Sequence, residues 1–223
     1  MEITFESEKD KKDYEHYMTV RGQGTYNMVY SALTLITGNK KIKANDFNGL
    51  IRYDKRLRDQ IYIYLATAEE YLKNRCNMQL EYYGNKEIKN FTSSVENQIK
   101  PSNSYGYNLF KYTAYSFNDL IEIIKTYDIR LNIESEGEKD ILLKSVKQLR
   151  NEVMHHRFLL LNPLKMKSVV EVQEHLEKVK QNILSLSKIL PKKWTMGFLK
   201  SVRNANYEKD KKERISKYLY IEV

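Results

Sequence analysis

The chain has 223 residues, is 41% hydrophobic and 12% aromatic, and holds 8 Gly, 3 Pro and a single Cys. This composition fills a core, and it excludes a disordered chain, an internal disulfide and a cysteine-built zinc site. The formal net charge of +9 suits a nucleic-acid partner, and the scarcity of Gly and Pro favours long helices over turn-rich folds.

Residues 1–25 open on the charged stretch MEITFESEKDKKD, which is no signal peptide. They read as a loosely ordered lead-in that ends in the small-residue run RGQGT. TYNMVYSALTLITGN (25–39) predicts a short helix closed by Gly38 and Asn39. A long amphipathic helix follows, with Leu50, Tyr53, Leu57, Ile61, Tyr64, Leu65, Ala68, Leu72 and Cys76 in helical steps of three and four. Asp46 or Asn48 suits its start and Gly84 its end. Residues 85–100 read as helix, PSNSYG (101–106) as a loop, and LFKYTAYSFNDLIEIIKTYDI as helix with a break near Ser116. Ser135 with Glu138, and Ser168 with Glu171, have capping-box spacing. The first opens a helix that Pro163 stops; the second opens one that ends before Pro191. No hairpin signal and no repeat occurs. The expectation is an all-α bundle of five to seven helices, with residues 26–190 as the domain and 191–223 as a basic helical extension. No apolar run of about 18 residues is present, so the chain reads as cytoplasmic and free of membrane.

The stretch LRNEVMHHRFLL (149–160) holds two of the four histidines. On a helical wheel of about 100° per residue, Leu142, Val146, Leu149, Val153, His156 and Leu160 share the core stripe. Asn151 and His155, four residues apart, face away from it, and Arg150 lies on the flank. Phe158 and Leu159 also project off the stripe. Apolar residues around an outward polar cluster predict a covered surface, and a second copy of the same helix about a two-fold axis is the simplest cover.

Imidazole exchanges protons near neutral pH, guanidinium stabilises phosphate charge, and a carboxamide orients either. No carboxylate cluster or second thiol accompanies them, so the set calls for no metal and no other cofactor. It suits cleavage of RNA through its own 2′-OH, which DNA lacks.

Arg150-Asn151-x-x-x-His155 resembles the R-x(4–6)-H signature of the HEPN superfamily, whose members are all-α and commonly ribonucleases. LIRYDKRLRDQIYIYLATAEEYLKNR (50–75) is similar to the pattern of Abi-like (abortive-infection) proteins, through Tyr53, Asp54, Leu57, Arg58 and Glu69 or Glu70. The likeness covers roughly residues 48–162 and is nearest to the AbiF and AbiD branch. It implies a HEPN-type bundle, an active site shared across a homodimer, and a role in bacterial phage defence. Arg150, Asn151 and His155 would be catalytic, with Phe158 and Leu159 at the dimer interface.

Charge clusters mark where RNA would lie. Residues 40–58 carry seven Lys/Arg against two Asp, and 188–223 carry ten Lys/Arg against four Asp/Glu. Lys40, Lys41, Lys43, Arg52, Lys192, Lys193 and Arg203 are the candidates there, with Lys144, Lys147 and Arg157 beside the histidine motif. The Tyr-rich segment 105–117 offers rings for base stacking but reads more readily as core and surface packing. His16 and His175 lie on charged stretches and carry no assignment. Two functions remain open: a homodimeric, metal-independent ribonuclease that halts growth during infection, or an RNA-binding module that docks a small noncoding RNA or an antitoxin-like partner.

Overall fold

The computed structural model describes residues 1–82, 116–131, 133, 136–205 and 219–223. Its axis is the long helix, which runs over Ala44–Tyr82 as α3. Phe47, Leu50, Tyr53, Leu57, Ile61, Leu65, Ala68, Leu72 and Cys76 are buried at helical spacing, so one stripe runs the length of the bundle. The helix begins before Asp46 and Asn48, so neither caps it: Asp46 lies in its first turn and Asn48 is buried.

Around α3 pack α1 (Glu8–Arg21), α2 (Gln23–Thr37), α4 (Phe117–Thr126), α5 (Glu136–Met154), α6 (Val169–Ile189) and α7 (Lys192–Ala205). The chain is an all-α bundle with seven helices among the described residues, plus one short strand pair. That pair, β1 (Glu2–Thr4) and β2 (Lys41–Lys43), is parallel with Ile3 opposite Ile42. A parallel pair needs no hairpin turn, which is why no hairpin signal announces it. Among the described residues no helix is long and apolar enough to cross a membrane.

The caps follow the sequence where it is explicit. Gly38 closes α2 in the left-handed conformation, with φ 69°. Ser116 opens α4 in a full capping box with Asp119. Ser168 caps α6 through Glu171 N–H, while the Glu171 carboxylate reaches back to the Lys167 N–H at 2.7 Å. The helix expected over 85–100, the loop at 101–106, the aromatic stretch up to residue 115, and the caps at Gly84 and Ser135 lie outside the described residues.

Three expectations change. Residues 1–25 are not a loose lead-in. Ser7 caps α1, and Tyr14 is buried edge-on against Tyr26 and Phe47, with ring centroids 4.9 and 5.5 Å away. The described parts of 191–223 pack into the core as well. α7 buries Phe198, Val202 and Ala205, and Leu219 and Ile221 return to the core. The third change is the end of α5. It stops at Met154, well before Pro163.

Candidate functional site

α5 ends in a Schellman turn. Arg157 N–H bonds the Glu152 carbonyl at 3.0 Å, and His156 N–H bonds the Val153 carbonyl at 3.1 Å. His156 takes the left-handed position, φ 52°, which glycine usually fills. That conformation costs a side-chain-bearing residue on the order of 1 kcal/mol. The wheel therefore fails after Met154. His156 is exposed, not inward. Leu159 is fully buried in its own core and so offers no outward dimer face, while Phe158 is half-buried against the same core.

The chain beyond this turn is held by a carboxylate from α3. Asp54 is completely buried. Its Oδ1 accepts the N–H groups of Leu159 at 2.6 Å and Leu160 at 3.1 Å, and its Oδ2 accepts Arg58 Nε at 2.7 Å. A helix through 159–160 would direct those N–H groups to carbonyls four residues back. Burial pushes the Asp54 carboxyl above the usual aspartate range, against the pull of Arg58 and of the two backbone donors. Tyr53, next to it, accepts the Ile221 N–H at 3.2 Å and anchors the C-terminal segment. The Tyr-Asp-x-x-Leu-Arg motif of α3 thus holds the chain that follows the histidines.

The three motif residues face different neighbours. Arg150 lies beside α3 and α4. Its Nη2 is 3.9 Å from Glu69 Oε2, and its Cζ is 5.8 Å from the Phe117 ring centroid. The contact with Glu69 is long, Glu69 also binds Lys73 at 2.8 Å, and Arg150 keeps 30% of its side-chain surface. Its Nε is buried without a hydrogen-bond partner among the described residues. Asn151 is partly exposed on the last turn of α5, and its carbonyl accepts the His155 N–H at 3.2 Å. His155 is exposed one residue past the helix.

His155 lines a cleft of about 720 Å³. Arg150 and Asn151 do not line it. His156, Arg157 and Phe158 do, together with Gly24 and Thr25 of the first turn of α2 and His175 of α6. His175 is half-buried, with Nε2 2.9 Å from the Leu159 carbonyl, and so is not the solvated residue its charged surroundings suggest. Its one sequence signal is its place beside the stripe Val172, Leu176, Val179. Glu152 and Gly24 carried no signal of their own, although Gly24 falls in the RGQGT run. Among the described residues no group of three or more His, Cys, Asp or Glu is placed to hold a metal ion.

The basic candidates divide. Lys40, Lys41, Lys192, Lys193 and Arg203 are exposed. Lys43 is exposed but bound to Glu6 at 3.1 Å. Lys147 and Arg52 are half-buried. Within 40–58, Arg58 is internal with Asp54, Lys55 pairs with Asp59, and Arg56 donates to the Ala205 carbonyl at 2.9 Å. Much of that cluster's charge is therefore engaged within the chain.

No protein-family model, no curated protein and no solved structure matches the chain.

Proposed function

We propose that this chain is a HEPN-type, metal-independent endoribonuclease of bacterial antiphage defence, active when two copies join their motif helices in one site. One observation carries the reading. Asn151 and His155 stand at the exposed end of α5 with no evident side-chain duty in the fold, and Arg150 beside them holds only a long ion contact, while Leu159 and Leu160 further on are buried and tied to Asp54. Polar residues kept where packing does not ask for them are the usual mark of a site.

In the reaction, the 2′-OH gives its proton to an imidazole and its oxygen attacks the adjacent phosphorus. The P–O5′ bond breaks, and the 5′ oxygen takes a proton from a protonated imidazole. The products are a 2′,3′-cyclic phosphate and a 5′-OH. His155 supplies the imidazole, Arg150 stabilises the charge on the phosphorane oxygens, and Asn151 orients either group. One His155 per chain means that two copies provide the acid and the base. Arg150, turned toward Glu69, would serve the site of the pair once that long contact yields. The pairing does not run through Leu159; the exposed end of α5 is the surface that remains.

The test is to purify wild type and His155→Ala in EDTA, incubate each with a mixed RNA ladder, and measure the mass of each in solution. Wild type should be a dimer that leaves cyclic-phosphate ends, and the variant a dimer that cuts nothing. A monomer, or equal cleavage by both, refutes the reading. The exposed lysines at 40–41 and 192–193 favour a second reading, an RNA-binding module. It predicts that a defined RNA co-purifies and that loss of those lysines, rather than of His155, removes function.

A further inference from the structure

The cleft beside His155 also holds groups that the ribonuclease reading leaves idle, His156, Arg157 and His175 among them. Three of the four histidines thus line it, from the end of α5 and from α6. A volume of about 720 Å³ lies within the range of small-molecule sites. We propose that this cleft is a ribonucleotide-binding site, complete within one protomer, that takes one nucleotide of the RNA strand.

Two sets of groups point to a nucleotide rather than to a bare anion or an apolar ligand. The first set suits phosphate. Arg157 is exposed and lines the cleft. The first turn of α2 lines it as well, and its cap, Gly22, has no side chain to satisfy the free N–H groups of that turn. A Cβ built on Gly24 meets nothing within 4 Å, so the backbone there is open to close approach. Cation, imidazoles and free backbone donors together recognise phosphate oxygens.

The second set suits a base. Met28, Phe158 and Leu161 form an apolar wall. Glu152 stands in the same cleft with Oε1 engaged by Gln148 at 3.2 Å and Oε2 buried without a hydrogen-bond partner among the described residues. A buried acceptor left empty is costly, and a donor on the ligand would satisfy it. A carboxylate accepts from the N–H groups of a base edge and repels a second phosphate. His156 stands in the left-handed position that glycine holds without strain, and its ring lines the cleft.

The choice of a ribonucleotide rests on the ribonuclease reading, but binding is measured here without cleavage. The histidine ring signals of the full chain are followed by NMR while guanosine 3′-monophosphate is added. The His155, His156 and His175 signals should move along one saturable curve, and His16 should not. His156→Gly should keep or raise Tm yet weaken binding about fivefold, the loss of roughly one contact. Arg157→Glu should weaken it at least as much. Inorganic phosphate and guanosine alone should each bind more weakly than the nucleotide. The proposal is overturned if the three rings do not move, if His16 moves equally, if phosphate alone matches the nucleotide, or if His156→Gly binds as wild type does. Silent rings in a chain that cuts RNA sink this site and spare the nuclease. Moving rings in a chain that never cuts do the reverse.

Discussion

Asp54 lies at the junction of the bundle and the site, and its removal has a calculable effect. In Asp54→Asn the amide oxygen still accepts the N–H groups of Leu159 and Leu160, but the amide nitrogen faces Arg58, whose side chain is only 8% exposed. A buried cation left without its partner costs about 3–5 kcal/mol. That is a large share of the roughly 5–15 kcal/mol that holds a domain together, so the variant should fold but unfold at markedly lower urea. Arg58→Met leaves the opposite charge stranded and should cost a similar amount. The double variant, Asp54→Asn with Arg58→Met, strands neither and keeps the backbone acceptor. Its loss should be about 1–3 kcal/mol, well below the sum of the singles. Urea unfolding of all four proteins, with equal m-values, measures the cycle. If the double variant's loss equals the sum to within about 0.5 kcal/mol, Asp54 and Arg58 do not act as a pair and the reasoning fails. Amide exchange gives a local check. Asp54→Ala should deprotect Leu159 and Leu160 before the rest of the core.

Three further outcomes are expected. Tyr53→Phe strands the Ile221 N–H and should cost about 1–3 kcal/mol in urea unfolding, with faster amide exchange at Ile221. Burial pushes the Cys76 thiol up to about 12, so the fold accommodates only the neutral form. That part of the stability is intact below the unfolded thiol value of about 8.5 and is lost as pH rises toward about 12; iodoacetamide at pH 8 should label Cys76 only in urea. Arg150→Ala loses a long, partly exposed contact, so it should shift urea stability by about 1 kcal/mol or less while abolishing RNA cleavage.

The helices themselves were legible because their causes are local. The stripe of α3, the glycine that ends α2 and the serine that opens α6 act through neighbours three and four residues away. Arg150, Asn151 and His155 stand out as candidates by type and spacing alone. The order of residues 1–25 was not legible, because it depends on Tyr14 meeting Phe47 and on β1 meeting β2, partners far along the chain.

The cleft was hidden for the same reason, sharpened by competition. A wheel carries the apolar period forward for as long as the backbone stays helical. Nothing within 149–160 announces that it stops, since His156 is a poor sign of a left-handed turn. The helix ends in the turn at His156, and Asp54, 105 residues before Leu159, takes the N–H groups that a helix carried through 159–160 would need. The sequence by itself determined most of the helices and marked the candidate site residues. Tertiary structure decided how the chain runs beyond α5 and that His156 faces outward, because a buried carboxylate takes two backbone hydrogens that a continuing helix would need.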